Sequence, residues 1–246
     1  MISHRIGTER EQSLHRALKF RYSGAEGDIE VIRAGYVCDG VSGDGEMIEV
    51  QTGSFGPLKK KVPELLRLGP VRIVHPIIVR KSIETRDASG ALLRCRKSPR
   101  KGTPWDLFKA LLYAPELPLL PGLVLELALV DVMEKRILDG KGSWRRKGAS
   151  ISDKSITEYH ETMVFNTPGD YRYFLPFKNR ETFTVKSLAE KAGIAPEIAR
   201  KALYVLMRIG VVERVGKAGN AWVYQSMQGH SKKRPRGRGS HAAGCL

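Results

Sequence analysis

Cysteine is scarce in this sequence, and no two cysteines have the spacing of a metal-binding pair. The three cysteines, Cys38, Cys95 and Cys245, lie far apart in a chain of 246 residues. An odd and scattered set predicts neither a disulfide framework nor a structural zinc site. It favours a reducing compartment, where thiols stay free.

Long apolar runs are also absent. The most apolar stretch, residues 117–132, is interrupted by two prolines and two carboxylates and is too short for a membrane span. The first twenty residues are charged throughout and contain no apolar segment of the kind that signal peptides have. We therefore expect a soluble, cytoplasmic protein with no membrane contact.

Acidic residues are few relative to basic ones. The sequence has 42 Lys and Arg residues against 26 Asp and Glu, a formal net charge of +16. This excess favours a polyanionic partner, because a basic side chain that neutralises a phosphate releases condensed counterions. The expected partner is DNA, duplex or branched. RNA stays open, because nothing in the sequence distinguishes ribose from deoxyribose.

The order of hydrophobic patterns predicts an α/β domain over residues 1–170, with its core at about 8–90. An amphipathic helix, three short β-rich runs, a second helix and a continuous apolar strand follow one another. Their predicted bounds are 8–22, 29–33, 35–41, 46–51, 58–68 and 71–79. A helix at 104–113 and a strand at 123–133 come next. The pattern does not decide whether these two extend the domain or link it to the next.

Residues 175–226 have the order of a winged helix: helix, turn, helix, hairpin. Thr184 is a good N-cap for the first helix, and Pro196 suits the first turn of the second, which ends before Gly210. The predicted helices and strands cover 185–192, 196–209, 211–215 and 221–225. The last residues, 227–246, contain basic side chains and no acid, which predicts a disordered basic tail.

Two carboxylates on neighbouring predicted strands form a candidate metal site. Asp39 ends one strand, and a tight Gly-Asp-Gly turn would bring it beside Glu49 on the next. Together with the carbonyl of Val50 they offer hard oxygen ligands, which suit Mg²⁺ or Mn²⁺. Gln51 follows Glu49 at the next position that faces the same side. Glu11, at the edge of the buried face of the first helix, is a further candidate.

This arrangement resembles the PD-(D/E)xK nuclease superfamily, which includes restriction endonucleases and Holliday-junction resolvases. Its members have a helix-borne Glu, then an Asp, then a (D/E)-x-K strand followed by a helix. The matching positions are Glu11, Asp39, Glu49-Val50-Gln51 and Leu58–Leu68. Gln51 departs from the usual lysine. Some members keep Gln there or take the lysine from the following helix, and for the second case we choose Lys60 from the run Lys59–Lys61.

The resemblance implies a restriction-endonuclease-like mixed sheet flanked by helices. The segments LHRALK, IEVQTG, RKSPRKG and GSWRRKG, with the terminal winged helix, also resemble a bacterial family with a nuclease-like core. The implied activity is that of a metal-dependent DNA endonuclease. Asp39 and Glu49 would be ligands, Gln51 would orient the water or the phosphate, and Glu11 would assist.

The alternative is a DNA-binding regulator or adaptor that has the nuclease-like fold without the activity. An enzyme needs Glu11, Asp39 and Glu49 to converge in one cleft beside a lysine. The alternative predicts salt-dependent duplex binding that is indifferent to Mg²⁺ and to Asp39→Ala. An RNA-processing nuclease is a third hypothesis. A homodimer would suit double-strand cutting, although no segment signals an interface.

Three groups of cations are candidate contacts for nucleic acid. Two lie in the basic loops 94–101 and 140–148, and one lies on the second helix and wing of the predicted winged helix. The candidates are Arg96, Lys97, Arg100, Lys101, Arg145, Arg146, Arg200, Lys201 and Lys217. We expect Trp144 to pack in the core rather than to stack on a base. Glu197 would repel phosphate, so a protein-binding winged helix stays an alternative.

Three histidines stand near these segments. His15 and His75 have apolar neighbours, which indicates structural roles. His160 lies in a charged stretch without a partner at metal-ligand spacing, so it supports no metal or catalytic prediction.

Overall fold

The structure, a computed structural model of the chain, describes residues 13–24 and 27–227. Its first part consists of α1 (Ser13–Ser23), β1 (Asp28–Arg33), β2 (Tyr36–Val41), β3 (Met47–Val50), α2 (Leu58–Leu66) and β4 (Val71–Arg86). The predicted order of helix, three strands, helix and strand is confirmed. β4 runs beyond the predicted apolar segment because its polar second half is also paired on both sides.

The region whose place the sequence left open supplies three more strands to the same sheet. These are β5 (Leu92–Lys97), β6 (Leu123–Leu138) and β7 (Ala149–Phe165), with α3 (Leu107–Leu111) between β5 and β6. The strand order is β1-β2-β3-β4-β6-β7, with β5 paired to β4. β3, β4 and β6 are parallel neighbours, and the other pairs are antiparallel. The fold is therefore α/β, with a mixed sheet flanked by helices.

Two of these strands have no clear signal in the sequence. Residues 94–97, predicted to belong to a basic loop, are instead part of β5, which forms an antiparallel hairpin with the end of β4. Nearly all of its side chains are exposed, so it lacks apolar alternation. β7 has mostly polar, half-buried side chains until its last three residues, and it pairs with β6 along almost its whole length.

Alternation along β3 and β4 divides the core into two layers. On one face of the sheet, α2 packs in a cluster that includes Met47 and Ile73. On the other face, α1 packs in a cluster that includes Ile48 and Val74. Successive side chains of a strand point to opposite faces, so the two helices approach β3 from opposite sides.

The carboxyl-terminal part has the predicted order of helix, turn, helix and hairpin. α4 (Val185–Ala192) begins after Thr184, whose hydroxyl accepts the Ser187 N–H at 3.2 Å, and α5 (Pro196–Arg208) follows. β9 (Val212–Ala218) and β10 (Ala221–Ser226) form the hairpin, and β8 (Thr182–Phe183) adds a third strand. The cluster on the α2 face continues into this part, where α3 contacts α5.

The predicted basic tail, apart from Met227, lies outside the described residues. Within the described ranges, no helix is both long enough and apolar enough to cross a membrane.

Candidate functional site

Asp39 is surrounded by donors at the point where β2 and β3 stop pairing. Its Oδ2 accepts the Val50 N–H at 2.8 Å. From α1, the Lys19 ammonium lies 3.2 Å from Oδ1 and His15 Nε2 lies 3.5 Å from Oδ2. Burial would raise the pKa of Asp39, but His15, the Val50 N–H and Lys19 together hold it below its ordinary value. Asp39 is therefore an anion at neutral pH.

The carboxylate of Asp39 and the carbonyl of Val50 face the same point. His15 Nε2 lies 2.8 Å from the Val50 carbonyl oxygen and is also close to Asp39 Oδ2. A carbonyl oxygen only accepts, so this ring nitrogen carries a proton. The imidazole N–H stands where two oxygen atoms converge. His15, for which the sequence indicated a structural role, thus belongs to the candidate site.

Glu49 lies beside α2, on the opposite face from α1. It is 3% exposed, and its Oε1 lies 2.6 Å from the Lys61 ammonium. Lys61 also donates to the Val37 carbonyl at 2.6 Å. Burial raises the pKa of Glu49 to about 7 despite Lys61, and the charge of Asp39 contributes to the rise. The two carboxylates are thus within electrostatic range, although helices on opposite faces hold them.

The cation that reaches Glu49 from α2 is that of Lys61. Lys60, the residue chosen from the sequence, has an exposed side chain. Lys61 follows Leu58 by three positions and precedes Leu65 by four, so it lies on the buried face of the helix. This helical phase can be read in the sequence and could have identified Lys61.

Gln51 is engaged in the loop that follows β3. Its side-chain amide donates to the Ser54 carbonyl at 2.5 Å, and its own carbonyl accepts from His75 Nδ1 at 2.5 Å. Burial lowers the pKa of His75, so the ring is neutral with its proton on Nδ1. In this arrangement Gln51 helps to fix the start of the loop between β3 and α2.

Glu11, the predicted third carboxylate, lies outside the described residues. Lys19 is instead a second residue of α1 at Asp39, and it also lies 3.4 Å from Glu30. His15 and Lys19 are one helical turn apart, next to the apolar stripe of α1. A search for polar residues beside that stripe could have found both.

The predicted nucleic-acid contacts lie in three separate places. On and after β5 these are Arg96, Lys97, Arg100 and Lys101; between β6 and β7, Arg145 and Arg146; in α5 and β9, Arg200, Lys201 and Lys217. Most are exposed, whereas Arg96, Arg146 and Lys201 are half-buried. Lys201 is ion-paired with Glu197 at 2.6 Å, so its charge is partly neutralised by the chain.

The turn between β6 and β7 exposes an aromatic ring. Trp144 is 82% exposed, so the prediction that it packs in the core is wrong. The reason is its place in a turn between two long strands rather than on a face of the sheet. The Arg145 guanidinium lies 5.4 Å from the ring centroid, and Arg146 donates to the Ala149 carbonyl at 3.0 Å. An exposed ring among cations has the composition of a surface that stacks on bases.

The β9–β10 hairpin has a similar group. Trp222 is 43% exposed. The Lys217 ammonium lies 4.5 Å and the Arg214 guanidinium 4.7 Å from its ring centroid. The two cations are therefore arranged around one accessible aromatic side chain.

His160 has carboxylate partners that sequence spacing does not reveal. Its Nε2 lies 2.8 Å from Asp131 Oδ1 on β6, and its Nδ1 lies 3.6 Å from Glu158 Oε1 on β7. The three side chains are close enough to hold a metal ion. Arg80 is ion-paired with both carboxylates, so the charge of this group is already balanced within the chain.

These observations define a mixed α/β protein with a carboxyl-terminal helix-turn-helix and hairpin, and with one half-buried and one buried carboxylate on the neighbouring strands β2 and β3. The chain belongs to the family described as Domain of unknown function (DUF8091), whose model matches residues 12–166. It is also 31% identical over 221 residues to an uncharacterised protein of Treponema pallidum (strain Nichols), covering 89% of this chain and 87% of that protein. An alignment of this length extends beyond the family segment. No solved structure matches the chain.

Proposed function

We propose that this protein binds nucleic acid and hydrolyses phosphodiester bonds, with a sheet of the PD-(D/E)xK nuclease kind and a winged helix. The observation that carries the proposal is the convergence of Asp39 Oδ2 and the Val50 carbonyl oxygen on one point, at His15 Nε2. Glu49 immediately precedes that carbonyl and has a lysine partner.

The order of elements supports the nuclease-like fold. The helix, the Asp, the (D/E)-x-K strand and the following helix that the resemblance implies correspond in order to α1, Asp39 on β2, β3 and α2. Asp39 lies on β2, and Glu49 and Val50 end β3. The usual lysine is replaced by Gln51, and Lys61 supplies a cation to Glu49 from the following helix.

A divalent cation fits the donor set of this site. Two carboxylates and a backbone carbonyl are the hard oxygen donors that Mg²⁺ and Mn²⁺ prefer, and Asp39 is an anion. Asp39 and the Val50 carbonyl would hold the ion, joined by Glu49 once its carboxylate turns from Lys61 on the other face of the sheet, and the ion would acidify a water molecule and stabilise charge on the scissile phosphate. His15 bonds to the same oxygens, so its imidazole competes for that position.

Hydrolysis also requires proton transfers. A water oxygen attacks phosphorus, the bond to the leaving sugar oxygen breaks, the attacking water loses a proton to solvent, and the leaving oxygen takes one from solvent. With a cation bound, Glu49 would be a ligand in its charged form; without one, burial keeps the pKa of its carboxyl at about 7. Lys61 holds the Glu49 carboxylate in place, and Asp39 stays charged throughout.

The carboxyl-terminal part supports nucleic-acid binding. α4, α5 and the β9–β10 hairpin have the order of a winged helix, in which the second helix enters a groove and the wing contacts the backbone. Arg200 on α5 is exposed, and Lys217 and Arg214 surround Trp222 on the hairpin. The exposed Trp144 with Arg145 offers a second stacking surface.

The test is cleavage of labelled duplex, single-stranded and branched DNA, and of RNA, with Mg²⁺ or Mn²⁺. We expect the Asp39→Asn/Glu49→Gln double variant, which preserves side-chain size, to lose activity by about a hundredfold or more. Lys61→Ala should also lose activity, whereas Lys60→Ala should keep it. Cleavage that survives the double variant would overturn the assignment of the site.

Binding without hydrolysis is the second candidate. The observation that favours it is that the chain already supplies cations to both carboxylates: Lys19 to Asp39 and Lys61 to Glu49. This hypothesis predicts salt-dependent binding that is the same in EDTA and in Mg²⁺ and is unaffected by Asp39→Asn. No cleavage of any substrate together with intact binding would select it.

A further inference from the structure

A cavity of about 430 Å³ opens at the carboxyl end of β3. It begins at Thr52, one residue after Gln51, and lies between the β3–α2 loop, the middle of β4 and the start of α3. Its lining includes neither Asp39 nor Glu49. It is therefore a separate feature that adjoins the candidate site.

One wall of the cavity is apolar and contains a fixed imidazole. Residues 76–78 of β4 and Ala110 of α3 form it, together with His75. His75 Nδ1 donates to the Gln51 carbonyl, and its ring meets that of Phe55 edge-on at 5.2 Å between centroids. Its Nε2 carries no proton in this tautomer and has no partner among the described residues. That nitrogen can accept a hydrogen bond from a ligand.

The rest of the lining is polar and includes three cations. Lys81, Arg100 and Lys109 face the cavity, and Asp106 is the one carboxylate in the lining that the structure describes. Lys109 is ion-paired with Asp106, and Lys81 lies 3.0 Å from Glu134. Arg100 has no ion pair within residues 13–24 and 27–227. Its charge is therefore available to an anion.

Arg100 is held at the cavity by backbone hydrogen bonds on both sides of it. The Ser98 N–H donates to the Lys81 carbonyl at 2.7 Å, and the Gly102 N–H donates to the Ile78 carbonyl at 2.8 Å. A Cβ added at Gly102 would lie 2.3 Å from that carbonyl oxygen, so glycine is required for this approach. The segment 98–102 is thus a fixed edge of the cavity.

We propose that this cavity binds a single nucleotide, either free or as an unstacked unit of a strand. Arg100, with Lys81 and Lys109, would bind the phosphate, and the apolar wall would bind the base. His75 Nε2 accepts, so it would take a hydrogen bond from a donor group of the base, such as the cytosine amino group or the uracil N3–H. The volume falls within the range of about 300 to 1,000 Å³ typical of ligand cavities.

The case of a nucleotide in a strand rests on the proposed function, because the cavity adjoins Gln51 next to the candidate site. Binding in EDTA tests the cavity without any cleavage. Calorimetry would measure CMP and UMP binding to the full chain, and fluorescence anisotropy would measure short cytosine- and uracil-containing single strands. A negative cleavage assay would leave these measurements unaffected, so the two proposals fail independently.

We expect Arg100→Ala to weaken nucleotide binding by about tenfold or more, since a charged hydrogen bond to phosphate is lost. Arg94→Ala is the matched control, because Arg94 is an exposed arginine on β5 that does not line the cavity. It should leave CMP binding unchanged. Circular dichroism would verify that both variants keep the fold.

Each outcome decides the proposal. If the binding of both CMP and the single strand depends on Arg100, the cavity binds a nucleotide whether it is free or part of a strand. If only the strand binds, with the same dependence, the ligand is an unstacked unit of a strand. The proposal is overturned if neither binds, if Arg94→Ala weakens binding as much as Arg100→Ala, or if inorganic phosphate binds as tightly as CMP.

Discussion

Asp39, half-buried on β2, and Glu49, buried on β3, are carboxylates on neighbouring strands, and the protein shifts their pKa values in opposite directions. Asp39 accepts the Val50 N–H and faces His15 and Lys19 of α1, and its pKa is lowered. Glu49 is 3% exposed beside Lys61, and its pKa is raised to about 7. Glu49 is the more deeply buried of the two, has fewer donors and is repelled by the Asp39 charge, and these three effects make the difference.

This difference divides the chemical roles of the two side chains. Three donors more than offset the desolvation of Asp39, whereas Lys61 and a backbone hydrogen bond from Asp39 do not offset the desolvation of Glu49 and the repulsion by the Asp39 charge. With no cation bound, Asp39 is an anion and Glu49 exchanges its proton near neutral pH. A cation bound by both would keep Glu49 charged, so the ion and the proton compete for Glu49.

Removing Lys61 should have the largest effect, because it leaves Glu49 buried without its cation. We expect Lys61→Met to lower the free energy of unfolding at pH 8 by about 3 to 5 kcal/mol, the cost of breaking a buried ion pair. The loss also includes the hydrogen bond to the Val37 carbonyl. Urea unfolding of the variant and the wild type measures it.

The Lys61→Met/Glu49→Gln double variant is the control, since it removes both charges. It should recover much of the stability at pH 8. At pH 5, where Glu49 is protonated, the single variant should lose less than half as much. An equal loss at both pH values would show that Lys61 stabilises the fold by packing and not through Glu49.

The pH dependence of stability sharpens the comparison further. A raised pKa means that folded Glu49 holds its proton at pH values where the unfolded chain releases it. Its contribution to stability is therefore complete below about pH 4.5 and is lost as the pH rises through about 7. Wild type should lose about 3 kcal/mol relative to Glu49→Gln across this window.

Urea unfolding of wild type and Glu49→Gln from pH 4 to 8 gives the difference between their free energies of unfolding. The other titrating groups contribute equally to both proteins, so their contributions cancel in the difference. A constant difference would mean that Glu49 has an ordinary pKa in the folded protein. The wild type gaining stability relative to the variant as the pH rises would mean that Lys61 lowers the pKa of Glu49 overall.

The two carboxylates could be predicted from the sequence, because Asp39 and Glu49 are close along the chain and joined by a short turn. Their partners depend on which faces of α1 and α2 meet the sheet. Part of this can be read from nearby residues in the sequence. The helical positions of Leu58 and Leu65 place Lys61, and not Lys60, on the buried face of α2. The opposite pKa shifts are not local, because they depend on how deeply each side chain is buried after the helices pack.

The same distinction explains the fold predictions. α4 has the bounds predicted from the sequence because its ends are local signals, the Thr184 cap and Gly193 with a positive φ of 64°. β7 has few buried side chains and is fixed by pairing with β6, which is distant information. The cavity beside His75 joins segments separated by up to 58 residues, from Thr52 to Ala110, so no local pattern predicts it.

Asp39 should show the opposite pH dependence to Glu49, with a smaller effect. Its lowered pKa gives stability that is present above about pH 4 and is lost as the pH falls through the folded pKa. Asp39→Asn keeps an acceptor for the Val50 N–H but removes the charge that faces Lys19. We expect a loss of about 1 to 2 kcal/mol at pH 7 that shrinks toward pH 3.

The measurement is urea unfolding at pH 3, 5 and 7. The control is Asp87→Asn, since Asp87 also has a lowered pKa but lies in the turn after β4, where its hydrogen bonds come from Ser89 and Ala91 and no cation in the described part of the chain faces it. A loss for Asp39→Asn that is as large at pH 3 as at pH 7 would contradict the assignment of Asp39 as the carboxylate held in its charged form.

An exposed carboxylate, that of Glu197, should have a smaller effect on stability than Asp39 or Glu49. Glu197 is exposed at the start of α5 and pairs with Lys201 at 2.6 Å, one helical turn away. Removing such a solvent-screened pair should leave the stability nearly unchanged. If α5 binds nucleic acid as proposed, Glu197→Gln frees Lys201 and removes a charge that repels phosphate, so duplex binding should strengthen by about two- to fivefold at low salt.

Anisotropy titrations of wild type, Glu197→Gln and the matched variant Glu213→Gln on the hairpin measure this change in duplex binding. Equal strengthening by both variants would indicate a general charge effect, and no change in either would place α5 away from the nucleic acid.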